Sequence, residues 1–377
     1  VKTAVLTVKK VINYLEEIAP PSLALPGDPV GLQIGNPGAE VKRVMVSLDP
    51  DLAAVREAVQ AGANLLVTHH PLFFHKITSI DESRPVGALV AEAIRGRLNI
   101  YSAHTNFDQA PEGVTHKLAE AIGLPTKSAE ILEVTGSEQL LKLVVFVPAG
   151  YEELILKALA DAGAGQIGRY SHCSFQTGGT GTFMPEEGTT PFIGASGVLE
   201  KVVEVRLETV LPVTCRADVI SALMKSHPYE EVAYDLYPLD LEGKKVGLGL
   251  LIDCGEFFSL QHLVQLCWQN LEECSPRGIE FGKSAFRKIA LCGGSGGSLI
   301  EHAASRGADL LISGDFRYHD LKQAEQLGLA LIDAGHAATE IPGVQFLCQS
   351  LRERIKKDAY AAEVLTSNST PTGWLNF

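Results

Sequence analysis

The sequence predicts an α/β protein in which two similar β/α halves form one outer domain, interrupted by an inserted ferredoxin-like α+β domain. Three observations predict this. Short buried apolar runs alternate with helical periodicity in the first and last thirds of the 377 residues. Part of the first third recurs in the last. The middle has a different rhythm. At ~150 residues per domain the length suits two to three domains.

In order, Val8–Ile18 reads as a helix stopped by Pro20-Pro21, and Val41–Leu48 as a strand. Asp51–Ala61 is a helix ended at Gly62, and Asn64–Thr68 a buried strand. Arg84–Gly96 is a helix, Asn99–Ala103 a strand and Gly113–Ile122 a helix. The recurrence lies in Ala61–Thr68 (AGANLLVT) against Arg306–Ser313 (RGADLLIS), with Gly62 and Gly307 245 positions apart. His104-x-x-x-Asp108 then matches His336-x-x-x-Glu340, 232 positions apart. The shorter offset places extra residues in the first half, around Lys76–Val86. In the second half Arg287–Cys292 reads as a strand and Leu299–Arg306 as a helix.

The middle, residues 127–245 between outer parts 1–126 and 246–377, gives a strand at Gln139–Val147 and a helix at Tyr151–Ala162. Strand-like pieces follow at Ile167–Gly181 and Lys201–Leu211, then a helix at Arg216–Met224 and a strand at Val232–Tyr237. This β-α-β-β-α-β order is the ferredoxin-like one. The Gly/Thr/Pro-rich Thr177–Gly194 reads as a long exposed loop.

Composition narrows function. A net charge of −13 argues against a duplex-DNA or anionic-membrane coat, and disfavours nucleic acid as a partner. Seven cysteines without a C-x-x-C pair argue against a disulfide framework or a thiolate zinc site, and point to the cytoplasm. No apolar run reaches membrane-spanning length, and the amphipathic Val1–Ile18 does not read as a signal peptide.

Titratable residues gather at strand ends, where open α/β sheets bind ligands. His69 and His70 close one strand, His104 and Asp108 follow the next, and His336 and Glu340 occupy the matching place in the second half. Adjacent histidines at the end of an extended segment diverge, so two neighbouring ions could take one each. The His336/Glu340 spacing puts both on one face if the segment is helical. Glu340-Ile341-Pro342 reads as a helix start, which would favour a carboxylate able to bridge two cations. Mixed His/Asp/Glu donors suit Zn, Mn, Fe, Co or Ni. His104 either matches His336 as a ligand or orients Asp108. Gly293–Ser298, which includes Gly294 and Ser295, is either a phosphate cradle or a plain turn. Tyr318 and His319, in the repeat equivalent of the His69-His70 region, are either substrate-binding and proton-transfer groups or part of a helix cap.

Thr68-His69-His70-Pro71-Leu72-Phe73-Phe74, His104-Thr105-Asn106-Phe107-Asp108, Ser313-Gly314-Asp315 and Gly335-His336-x-x-x-Glu340 together resemble the Nif-three-like dinuclear-metal family, whose members carry the name GTP cyclohydrolase 1 type 2 homologue. Asp28-Pro29-Val30-Gly31-Leu32-Gln33-Ile34-Gly35 resembles the family's N-terminal loop, with Pro29 in place of a common Asn. His227-Pro228-Tyr229-Glu230-Glu231-Val232 suggests the insert of the longer bacterial members, which is similar to the PII and CutA domains. The resemblance implies two divalent metal ions per chain, zinc foremost: His69, Asp108 and Glu340 hold one, and His70, His336 and a bridging Glu340 hold the other. It also implies a homohexameric ring and a small, nucleotide-like substrate. The expected function is therefore a cytoplasmic metal-dependent hydrolase acting on GTP or another nucleotide, with a cyclohydrolase attack on the guanine ring or a phosphoesterase attack on phosphorus as its two forms. The alternative is a non-enzymatic metal-binding regulatory or scaffold ring, its insert sensing a small ligand.

Overall fold

A computed structural model describes residues 5–369. The chain divides into two units, Val1–Thr135 with Val246–Phe377, and Gly136–Lys245. Residues 127–135 go with the outer unit, because Leu132 packs in one cluster with Leu251, Ala290 and Leu311.

The outer unit opens with α1 (Val8–Ile18), capped by the Thr7 hydroxyl, which accepts from the Lys10 N–H. An edge strand β1 (Gly31–Ile34) and β2 (Arg43–Ser47) follow. Asp51 caps α2 (Leu52–Gln60), its carboxylate accepting from Ala54 N at 2.7 Å. Then come β3 (Leu65–Thr68), α3 (Pro85–Arg95) with Pro85 in its first turn, β4 (Asn99–Ser102), the single turn α4 (Thr105–Asp108) and α5 (Val114–Ala121). The intervening unit takes the later part of β5 (Glu130–Pro148), then α6 (Glu152–Asp161), β6 (Ser174–Phe183), β7 (Glu200–Pro212), α7 (Arg216–Ser226) and the first part of β8 (Tyr234–Phe258). The outer unit resumes with α8 (Leu260–Asn270), β9 (Arg277–Ile279), β10 (Phe286–Ser295), α9 (Ile300–Ser305), β11 (Leu310–Gly314), α10 (Tyr318–Leu327), β12 (Ala330–Asp333), α11 (His336–Lys357) and β13 (Glu363–Thr366).

In the outer unit, β2, β3 and β4 run parallel, with β1 antiparallel against β4 and β13 parallel against β2. Strands β10, β11 and β12 repeat that plan, with β9 antiparallel against β12 and the end of β8 antiparallel against β10. The two halves thus match strand for strand, β1–β4 against β9–β12. The first half's extra residues fall between β3 and α3, where the second half passes from β11 to α10 through residues 315–317 alone. Leu65–Thr68 and Leu310–Gly314 are buried throughout, as central parallel strands require.

Unit 136–245 orders its strands β6-β7-β5-β8. Leu143, Val145, Val147 and Leu207 on one face of this sheet pack with Ile155, Leu159, Val219 and Leu223 of α6 and α7. The expected loop Thr177–Gly194 is corrected here. Its first part, Thr177–Phe183, is the second half of β6 and pairs with β7 residue by residue. Over 177–181 the overlapping strand expectation is the one that holds, and a strand this rich in glycine and threonine draws its stability from its ladder rather than from its side chains. The expected strand Ile167–Gly181 begins only at Ser174, and Val232–Tyr237 belongs to the longer β8. Among the described residues no helix is long and apolar enough to cross a membrane.

Candidate metal centre

Each site side chain is set by a strand end of the outer unit. The Thr68 hydroxyl donates to the His70 carbonyl at 2.8 Å and lies 3.0 Å from the Ser102 hydroxyl, which ties the ends of β3 and β4 together. The N–H groups of His69 and His70 continue onto the end of β2, donating to the carbonyls of Ser47 and Leu48. His104 is the N-cap of α4 and Asp108 its last residue. His336 is the first residue of α11, so the helix starts four residues before the expected Glu340 and contains Pro342. Glu340 is one turn on from His336, on the same face, with Oε1 3.2 Å from His336 Nε2.

The four imidazoles share one construction. His70 Nδ1 lies 2.7 Å from Asp49 Oδ1, His336 Nδ1 2.7 Å from Asp315 Oδ2, His104 Nδ1 2.8 Å from Asp28 Oδ1, and His69 Nδ1 2.8 Å from the Ala103 carbonyl. A carboxylate or carbonyl can only accept, so each Nδ1 carries the hydrogen. In the neutral ring Nε2 is then left with its lone pair. Those Nε2 atoms converge. His70 Nε2 is 3.3 Å from His336 Nε2 and 3.2 Å from Glu340 Oε2. His69 Nε2 is 3.5 Å from Glu340 Oε1 and 3.6 Å from Asp108 Oδ1. Two overlapping sets, His69 with His70 and His104, and His70 with His336 and Glu340, could hold a metal ion. With the rings neutral, His69 Nε2 and Glu340 Oε2 are buried without a hydrogen-bond partner. Orphaned buried atoms of this kind are costly unless something charged meets them. Imidazole and carboxylate donors fit a divalent transition metal.

The cluster's own electrostatics agree. Burial opposes ionisation of Glu340, but the imidazoles of His69, His336 and His70 around it hold its carboxyl well below the usual range. Burial likewise opposes charging of His70, but hydrogen bonds to Asp49 and Glu340 push it up to about 10. Glu340 raises His336 to about 9. Burial raises Asp108. In the absence of a cation, protons on imidazole balance the buried Glu340.

The remaining expected residues fare differently. His104 is bound to Asp28 rather than to Asp108, and its ring joins His69 and His70. Gly294 does not offer its N–H to a ligand, because that group donates to the Thr339 hydroxyl at 2.9 Å, as the Gly293 N–H donates to Thr115. Its contribution is space: with φ at +67° a Cβ there would run into Glu340 Oε1. Ser295 is exposed on the strand end. Tyr318 and His319 are exposed at the start of α10, their ring centroids 5.7 Å apart in an edge-to-face arrangement. The group this loop brings to the site is Asp315, held at φ +59°. Asp49 went unnoticed in the sequence, although a carboxylate directly after a buried strand was a usable signal. Asp28 stood in the N-terminal loop without a role.

The fold and this cluster define a mixed α/β protein with two related sheets and a His/carboxylate site that could hold metal. The model of the family Duf34/NIF3 (NGG1p interacting factor 3) matches residues 6–372, and the chain belongs to that family. It is 40% identical over 358 residues to a protein of Halalkalibacterium halodurans named GTP cyclohydrolase 1 type 2 homolog, covering 95% of both chains. A Bacillus subtilis protein of the same name is 40% identical over 333 residues, covering 88% of this chain and 89% of its own. Among solved structures, a Bacillus cereus protein related to NIF3 superposes with a TM-score of 0.84 at 38% identity, over all of both chains.

Proposed function

We propose that this protein is a metal-dependent hydrolase with a dinuclear centre, acting on GTP or a related nucleotide. The observation that carries the reading is the convergence of imidazoles, each pinned at Nδ1, on a buried Glu340 whose Oε2 has no donor while the rings are neutral. His69, Asp108 and Glu340 would hold one cation and His70, His336 and Glu340 the other, with His104 beside the first and zinc the foremost candidate. Divalent cations there would supply Lewis-acid polarisation of the substrate and a water acidic enough to attack near neutral pH. The chain's own residues do the rest. Asp49, Asp28 and Asp315 fix the tautomer and direction of three rings. Glu340 carries the negative charge that two cations need between them.

The relatives' name supports nucleotide as the substrate class. The inserted unit reads as a ferredoxin-like, PII/CutA-like domain, supported by its strand order β6-β7-β5-β8 and by helices against one sheet face. Seven free thiols suit a cytoplasmic setting, and a homohexamer is the assembly the family resemblance implies. A metal-binding scaffold without turnover is the second reading. The N–H groups of Gly293 and Gly294, spent on Thr115 and Thr339 and so closed to a phosphate, favour it. Metal analysis joined to GTP hydrolysis with formate and phosphate detection separates the two. Two cations per chain and turnover abolished in His70→Ala are expected. A fully metal-loaded protein that consumes no nucleotide would leave the scaffold reading.

A further inference from the structure

Far from the metal cluster in sequence, and wholly inside unit 136–245, a cavity of about 610 Å³ opens on the face of the β6-β7-β5 sheet opposite α6 and α7. Register fixes what lies on that face. Gly179 is paired with Glu204, Thr177 with Arg206, and Arg206 in turn with Phe146 of β5. Directly opposed residues share a face, so Phe146, Arg206, Glu204, Thr177 and Gly179 all look away from the helices. Gly181 and Phe183 follow on the same side of β6.

This face is built as a site. Glycines at 179 and 181 strip the strand of side chains, and at 181 a Cβ would run into Glu204 Oε2. The Glu204 carboxylate therefore lies down over the glycine strip. It is only 8% exposed, and its Oε1 accepts from the Tyr229 hydroxyl at 3.0 Å. Aromatic rings wall the space: Phe183 and Phe192 stand 6.1 and 6.2 Å from Tyr229, and Phe146 lines the far side. The segment after β6 is held in place, since Glu230 accepts the Thr190 N–H at 2.9 Å and Gly197 N–H donates to the Pro185 carbonyl. Charge then selects. Glu204, Glu230 and Glu231 face one cation, Arg206, whose Nε is already given to Glu208 at 2.8 Å.

We propose that this cavity is a second ligand site, one that takes a flat, uncharged or cationic heteroaromatic ring presenting N–H donors, of nucleobase or nucleoside size, and rejects its phosphorylated forms. Aromatic walls recognise the ring faces. A largely desolvated carboxylate recognises N–H donors and disfavours phosphate. The volume falls within the range of small-molecule sites. This inference is independent of the metal-centre reading.

Equilibrium dialysis of the full-length, metal-loaded protein against guanosine, adenosine and GTP tests it. At least one nucleoside should bind saturably at one per chain, and the bound nucleoside should exceed GTP in affinity at this site by at least tenfold. Gly179→Val puts a β-branched side chain into the cavity at a strand position where the nearest atom, the Glu204 carbonyl oxygen, is 4.0 Å from a Cβ. It should reduce nucleoside binding at least tenfold. Glu204→Gln, nearly isosteric, should do the same, while His70→Ala leaves it unchanged. No saturable nucleoside binding overturns the proposal. So does binding undiminished in both cavity variants, or GTP binding that matches the nucleoside and is lost in Gly179→Val.

Discussion

The two halves of the outer unit share a frame and divide a task. After the first half's buried central strand come His69 and His70. After the second half's come Gly314 and Asp315 at the matching positions. One step later the halves agree again, His104 and Asp108 against His336 and Glu340. The difference at the first step has a steric side, because at Gly314 a Cβ would crowd the backbone of Gly335 and His336. It has a chemical side as well. Where the first half places a second imidazole donor, the second half places a carboxylate that turns outward and fixes His336. The first half pins its own rings from Asp28 and Asp49 instead. Duplication set the frame, and divergence at two positions turned one copy into the main donor and the other into a bridge.

The largest effect should separate the matched carboxylates. Glu340 reaches between the rings of both halves, whereas Asp108 approaches His69. Elemental analysis after gentle dialysis should find near zero metal for Glu340→Gln and about one per chain for Asp108→Asn, on the two-metal geometry. Equal losses would remove Glu340 from the bridging role.

Next comes pH. His70 from one half and His336 from the other keep protons up to about 10 and about 9 in the metal-free protein. Metal must displace those protons, so affinity should climb with pH across the neutral range, roughly tenfold per unit for each proton displaced. Glu340, already ionised, adds nothing to the slope. Chelator competition between pH 6.5 and 8.5 reads this, and a flat profile contradicts it. In the metal-free protein the same raised values stabilise the fold fully below ~6.5, the ordinary histidine value, and that stability is lost as pH rises through about 9 and 10.

The pinning carboxylates should follow. Asp49→Asn should weaken metal binding about 10–100-fold. Asp315→Asn should cost less, because that pair is more open to water than His70 with Asp49. A larger loss for Asp315→Asn would reverse the order of the halves. Gly294→Ala should lower stability by about 1–2 kcal/mol through its positive φ, and metal content with it, by displacing Glu340. The smallest effect should be that of His319→Ala, within twofold of the parent in metal affinity.

Much of this was legible in residues. Helices such as Val8–Ile18 follow from apolar spacing and a capping threonine, and the central strands from short runs of buried aliphatics. The strand ends that carry His69, His70, Asp108, His336 and Glu340 follow from the same pattern. Strands β1, β9 and β13, three or four residues each, left no periodic trace, because an edge strand is defined by the partner it pairs with.

By itself, then, the sequence determined which elements form, that they are duplicated, and which donors stand at the strand ends, because those are local matters of periodicity and residue type. The tertiary structure decided that Asp49, Asp28 and Asp315 hold the rings, that Gly294 makes room for Glu340 instead of cradling a phosphate, and that Glu204 lies beneath an aromatic wall. Each of these depends on two segments distant in the chain meeting within a hydrogen bond or a van der Waals radius, and no local pattern records that meeting.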